Sequence, residues 1–334
     1  MMGKKYNVFG IGNALVDIVT EVSDQFLNEH NIEKGLMTLV EEEDQARISK
    51  AINMDSSNKQ CGGSAANSII AVSQFGGSSY YSCKVASDEL GEFYKKDLKA
   101  NGVDSNIQEQ QLESGITGKC LVMTTKDAAR TMNTFLGITS SYSKSEIKVD
   151  ALKDSEYLYI EGYLVTSENG LEAMKEAKKL AEANGVKTAL TFSDPSMVKY
   201  FKPQMEQVVG NSVDLLFCNE EEAMLYTDKN SIEEAKEALK NVAKRYVITL
   251  GENGAIIFDG NEYIKVEPHK VTAIDTNGAG DLFAGAFLYG ITNGKSYAES
   301  GKLASLASSK LVTQFGPRLD LEQSKEILNQ LNSN

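Results

Sequence analysis

Residues 156–195 read EYLYIEGYLVTSENGLEAMKEAKKLAEANGVKTALTFSDP. The run at 156–162 is short, apolar and rich in tyrosine, which suits a buried strand. From 170 to 184 the apolar residues recur three and four apart, the period of an amphipathic helix, and Gly185 is placed to end it. Residues 187–193 form a second strand-like run, stopped by Asp194-Pro195. A strand, a helix and a strand in this order form one right-handed βαβ unit, whose two strands lie parallel.

The same alternation continues outward. Residues 213–219 (VDLLFCN) and 246–250 (YVITL) read as further strands. Between them 231–243 reads as a helix, with Ser231 as N-cap and Glu234 completing a capping box. A largely parallel sheet covered by helices is the expected α/β architecture. Two stretches, 14–45 and 105–140, break the rhythm. They hold short β-rich runs at 16–22 and 117–125 with no helices between, and read as a small inserted β lobe. Such a lobe can close over a substrate and exclude water. The expected division is a large α/β domain from 1–13, 46–104 and 141–334, with 14–45 and 105–140 forming the lid.

Composition narrows the function classes. The chain has 334 residues, 41% hydrophobic, enough for a substantial core, and only 4 prolines. No linker-like tract or solenoid repeat divides it. A net charge of −13 disfavours nucleic acid and anionic membranes as partners, and makes any anionic ligand depend on local positive potential. No apolar run reaches the ~18 residues of a membrane span. The N-terminal apolar run is interrupted by Asn13 and Asp17, which argues against a signal peptide. Cys61, Cys83, Cys120 and Cys218 are scattered, with no metal-ligand spacing, and are expected as free thiols in a reducing cytoplasm. His30 and His269 are the only histidines, so a His-based triad or metal site is not expected.

The segment with the most chemistry is 275–288, DTNGAGDLFAGAFL. It follows a strand-like run at 271–274. Gly278, Ala279 and Gly280 let a ligand approach the backbone closely. Leu282, Phe283, Ala286 and Phe287 then recur at helical spacing. Residues 278–281 are therefore expected at a helix N-terminus, where unpaired N–H groups and the helix dipole form a hole for a phosphoryl group. Asp281 in that first turn also reads as a simple dipole complement. Beside a glycine-lined anion cradle, a carboxylate is better placed to accept the proton of an attacking hydroxyl.

This motif resembles the C-terminal signature of the ribokinase-like (PfkB-type) carbohydrate and nucleoside kinases. GIGNALVD (10–17), CGGSAAN (61–67), NEEE (219–222), TLGENG (249–254) and FGPR (315–318) follow in the family's order. The resemblance implies a three-layer α/β/α domain with a mostly parallel central sheet and a small β-sheet lid. It implies ATP and Mg²⁺ as cofactors, a small sugar or nucleoside as substrate, and a monomer or homodimer.

The resemblance also implies roles. Asp281 is the catalytic base, and Gly278, Ala279 and Gly280 form the anion hole. Asp17 binds substrate hydroxyls, assisted by Asn13; alone it reads equally as a solvated turn residue. Gly62 and Gly63 press backbone against the sugar, Ser64 caps the helix that follows, and Asn67 bonds a hydroxyl. Asn219 and Glu222 match the family's NxxE pair, which organises Mg²⁺ through its waters, although NEEE alone reads as an acidic helix start. Thr249, Gly251 and Gly254 match the nucleotide-phosphate loop, or an ordinary strand–turn–strand. Arg130 either reaches over the transferring phosphate or is a solvated surface cation. Asp275 and Asn277 match a K⁺ site of many relatives.

The segments GYLVTS (162–167), FSDPSMVKYF (192–201) and VDLLFCNEEEA (213–223) resemble the adenosine kinase branch. By that analogy Leu15, Met132, Tyr163 and Leu164 form an apolar slot for a purine, although each also reads as core. A sugar kinase of the same family is the alternative, and a non-catalytic ligand-binding member a more distant one. A dinucleotide oxidoreductase is disfavoured. After Gly10-x-Gly12 the third glycine is replaced by Leu15, and an acidic residue follows too soon. No GxxxxGK[ST] loop occurs.

Overall fold

The structure is a computed structural model and describes residues 3–52, 59–127 and 129–332. Its strands, in chain order, are β1 (Tyr6–Ile11), β2 (Leu15–Glu21), β3 (Met37–Leu39), β4 (Lys59–Gly62), β5 (Ser79–Ser82), β6 (Asp104–Ser105) and β7 (Thr117–Thr124), followed by β8 (Arg130–Gly137), β9 (Ser155–Glu161), β10 (Lys187–Thr191), β11 (Leu215–Asn219), β12 (Tyr246–Thr249), β13 (Ala255–Phe258) and β14 (Tyr263–Val266).

The larger sheet has the order β14-β13-β12-β11-β10-β9-β1-β5-β6. From β12 to β6 all neighbours are parallel, and β13 and β14 close one edge antiparallel. Its strands read as continuous apolar runs because both faces are buried. One face packs on helices Ser64–Gln74, Ala279–Thr292 and Tyr297–Leu311, the other on helices Glu168–Ala183 and Pro195–Val209. From β1 the chain winds to β5 and β6 on one side, then returns to build β9 through β12 on the other. That reversal, between β1 and β9, opens a crevice at the carboxyl ends of the strands.

The second sheet has the order β3-β8-β7-β2-β4. One face carries Ile18, Leu121 and Met123 against Leu27 and Ile48 of helices Asp24–Glu29 and Glu42–Ala51. The alternate residues, among them Leu15, Asp17 and Met132, face the crevice.

Several local expectations shift. β4 joins the small sheet although it lies within 46–104, pairing Gln60 with Asp17 and Gly62 with Leu15. The tetrapeptide KQCG has no apolar alternation to announce a strand, so its partner, distant in sequence, decides its fate. Asp104, on the expected boundary, pairs with β5 of the large sheet. Residues 271–274 form no strand. Ile274 and Asp275 both donate backbone N–H groups to the Val312 carbonyl, at 2.7 and 3.3 Å, which leaves Val271 and Ile274 exposed. Ser231 caps its helix by accepting from Glu234 N at 3.3 Å, but the Glu234 carboxylate takes the Ser231 hydroxyl at 3.0 Å instead of the backbone N–H.

Candidate active site

The site is a cavity of about 380 Å³ between the carboxyl ends of the large sheet and the inner face of the small one. Its floor is the start of helix Ala279–Thr292. Gly278 precedes that helix at φ +71°. A Cβ there would lie 2.3 Å from the Pro317 carbonyl oxygen, so this turn needs glycine on both counts. Among the described residues, the first-turn amides of Gly280 and Asp281 have no hydrogen-bond partner, and Gly280 faces open space. Ala279, expected in the same hole, spends its N–H on the Thr276 carbonyl at 3.3 Å. The anion-binding part of the turn is thus Gly280 and Asp281.

The Asp281 carboxylate is held by two residues of helix Ser64–Gln74. Ser64 Oγ donates to Oδ1 at 2.6 Å and Asn67 Nδ2 donates to Oδ2 at 2.9 Å. Ser64 is therefore not the cap of its helix. Gly63 takes that position at φ +99°, where a Cβ would lie 2.2 Å from the Asn13 carbonyl oxygen. This frees the Ser64 hydroxyl for Asp281. Burial pushes the Asp281 carboxyl above its ordinary range, against the lowering by Asn67, Ser64 and Arg130. Asn67 Oδ1 is buried with no partner and belongs to a side chain that lines the cavity.

Asp17 lies on the opposite wall, on β2. Its carboxyl group occupies the space a Cβ of Gly62 would need, with Cγ 2.2 Å from that position. Gly62 itself does not line the cavity; it lets Asp17 lie flat on β4. Desolvation raises Asp17 to about 7, although Arg318 and Arg130 favour the charged form.

Glu161, which no sequence motif singles out, ends β9 and stands in the cavity wall. It is fully buried and accepts the Asn13 N–H at 2.5 Å and the Ala65 N–H at 3.0 Å, binding the loop after β1 to the start of helix Ser64–Gln74. Desolvation raises it to about 7 despite those two bonds. The available signal was a carboxylate closing an otherwise apolar strand. Ser193 and Asp194 also line the cavity. Ser193 adopts φ +71° and its Oγ accepts from Gly162 N at 2.9 Å.

Asn219 ends β11 and caps helix Glu220–Thr227, where it forms a reciprocal capping box with Glu222. Asn219 N and Nδ2 each donate to a Glu222 oxygen at 2.9 Å, and Glu222 N donates to Asn219 Oδ1 at 2.8 Å. Burial raises Glu222 to about 8. Arg130, on β8, donates to Asn277 Oδ1 at 2.5 Å and lies 3.9 Å from Asp275 Oδ1. It is the one Lys or Arg among the described lining residues, against Asp17, Glu161, Asp194, Glu222 and Asp281.

Leu15, Met132, Tyr163, Asn277 and Thr249 line the cavity as well. Besides Gly62, four expected residues do not. Leu164 is buried in the core beyond the sheet, because the short helix Gly162–Thr166 turns it away from Tyr163. Gly251 and Gly254 belong to the turn before β13, with Gly254 set against Val266. Asp275 is buried behind the turn, accepting from Asn277 N at 2.9 Å and Gly316 N at 3.0 Å.

A family model described as pfkB family carbohydrate kinase matches residues 35–324. The chain belongs to the pfkB family of carbohydrate kinases. It is a phosphotransferase acting on a hydroxyl group, with a ribokinase-like fold. The crystal structure of adenosine kinase from Sinorhizobium meliloti superposes with a TM-score of 0.89 and 34% identity, covering 96% of this chain and 99% of that one. A probable sugar kinase from Rhizobium etli CFN 42 gives 0.90 and 32%, covering 98% and 99%. Adenosine kinase 2 from Arabidopsis thaliana is 27% identical over 336 residues, covering 92% of this chain and 94% of its own. No helix among the described residues is long and apolar enough to cross a membrane.

Proposed function

We propose that this kinase transfers the γ-phosphate of ATP to the primary hydroxyl of a ribose-containing acceptor, adenosine, to give AMP. The observation that carries the reading is the Asp281 carboxylate. It sits beside two unpaired helix-start amides, is aimed by Ser64 and Asn67, and faces the same cavity as Asp17. Asp17, Asn13 and Asn67 offer polar groups to the ribose. Leu15, Met37, Met132 and Leu136 make the roof aliphatic enough for a purine face.

In this reading Asp281 accepts the proton of the hydroxyl as its oxygen bonds to the γ-phosphorus and the bond to ADP breaks. The Gly280 and Asp281 amides stabilise the charge on the transferred group. The Asn219–Glu222 pair fits magnesium through the ion's water shell, since both Glu222 oxygens already accept hydrogen bonds. When bound, the ion neutralises phosphate charge in a cavity with a single cation. The small sheet acts as a lid. Asp275 is the candidate for K⁺, and the free, buried thiols suit a cytoplasmic enzyme.

A sugar kinase is the second reading, favoured by the likeness to the Rhizobium etli protein. An ADP-release assay over adenosine, other nucleosides, ribose and fructose, with and without K⁺, separates the two. Turnover of ribose or fructose with none of adenosine reverses the assignment.

A further inference from the structure

We propose that Arg318 is a positioning residue for acceptor binding: it clamps the end of β4 beneath Asp17 and places a buried positive charge behind that carboxyl group. Arg318 lies outside the cavity lining and touches no reacting group. Its side chain is 14% exposed and donates through Nη1 to Asp97 Oδ2 at 2.9 Å and through Nη2 to the Cys61 carbonyl. Cys61 adjoins Gly62, the residue against which the Asp17 carboxyl lies. Tyr94, on helix Glu89–Ala100 with Asp97, holds the same strand end, donating its hydroxyl to the Gly62 carbonyl at 2.8 Å.

The residues just before Arg318 are tied to the catalytic turn. The Pro317 carbonyl abuts Gly278 and the Gly316 N–H donates to Asp275 Oδ2 at 3.0 Å. One short loop therefore carries both the wall of the Asp281 turn and the cation behind Asp17. The charged and titratable groups facing Asp17 are Arg318 from this loop, Asp281 from the helix start, Arg130 from β8, Cys61 from β4 and Cys120 from β7. Of these, Arg318 favours the Asp17 anion most. A protonated Asp17 accepts only weakly from sugar hydroxyls, so this charge controls how tightly the acceptor binds.

The part of this inference that concerns acceptor affinity rests on the adenosine reading; the titration of Asp17 does not. The test is ¹³C-carboxyl NMR of the full chain labelled at aspartate, with the Asp17 signal assigned by its loss in Asp17→Asn. In Arg318→Met the Asp17 midpoint should rise by about one pH unit, the scale of a removed neighbouring cation. In Arg318→Lys it should stay near the parent value. In Asp97→Asn, which strips Arg318 of its counter-charge and leaves the Cys61 bond, it should move down. At pH 7 the Arg318→Met change should raise the KM for adenosine roughly fivefold, from the lost ionised fraction, with kcat altered less.

Opposite signs in Arg318→Met and Asp97→Asn separate an electrostatic role from loss of packing, which shifts both the same way. A midpoint unchanged in Arg318→Met, or moved upward in both variants, overturns the proposal. No adenosine turnover by the parent protein, with the opposed midpoint shifts intact, removes the adenosine reading and leaves the positioning role standing.

Discussion

Asp281 owes its reach to its neighbours. Ser64 and Asn67 fix both of its oxygens, so it needs no rotamer search when an acceptor arrives. Asp281→Asn should lower kcat by roughly 10²–10⁴. The amide can still accept from Asn67 and donate to the Ser64 hydroxyl, so the melting temperature should stay within a few degrees. Near-parental turnover would remove Asp281 as the base. Because burial raises its carboxyl, and a base must be ionised, the acid limb of kcat should lie above the ordinary range of an aspartate. Glu161 makes the complementary case. Each of its oxygens takes one backbone N–H. In Glu161→Gln one of those oxygens becomes an NH₂ that faces a donor, which should cost about 1–3 kcal/mol. Urea unfolding checks this, and an unchanged midpoint would show that the clamp contributes nothing. Asp281 was legible in the sequence because glycines and a helical period surround it. Glu161 was not, because a carboxylate inside an apolar strand gives no local sign of which amides it will meet.

Among the elements, the crossing of helices Ser64–Gln74 and Ala279–Thr292 decides the site. A Cβ at Gly285 would lie 2.4 Å from the Ser68 carbonyl oxygen and 2.7 Å from Ala71 Cβ. Ser68 Oγ also donates to the Asp281 carbonyl at 3.0 Å. Backbone contact between the helices brings Ser64 and Asn67 over Asp281. Gly285→Ala should therefore push the helices apart, costing about 1–3 kcal/mol through overpacking, and lower kcat because the hydrogen bonds to Asp281 lengthen. A variant that lost stability but kept its kcat would show that Asp281 does not depend on this crossing. Both helices could be read from their periods. Their crossing could not, since an alanine-rich face marks close approach without naming its partner.

At the scale of the molecule, the cavity holds several carboxylates that stability alone would not keep. Asp17 and Glu161 are raised to about 7 and Glu222 to about 8, all by burial. Between the ordinary carboxylate range near 4 and these values, the native state binds more protons than the unfolded chain. Stability from these groups must therefore fall as pH rises through that window and level off above about 8. The lowered Asp214 works the other way only at acid pH. The urea midpoint should be higher at pH 5.5 than at pH 8, and Asp17→Asn should reduce the difference while weakening acceptor binding. A midpoint that rises from pH 5.5 to 8 would contradict the buried-acid account.

The sequence by itself determined the alternating strands and helices, the glycine turn ahead of Asp281 and the family they belong to. Those signals are local: a period, a cap, a residue that tolerates positive φ. Only the tertiary structure decided that KQCG is a strand of the small sheet, that Glu161 accepts from the backbone of Asn13 and Ala65, and that Arg318 reaches the Cys61 carbonyl. Each of these depends on contact between segments far apart in the chain. Burial and partnership set a side chain's charge and direction, and neither is a property of its immediate neighbours in sequence.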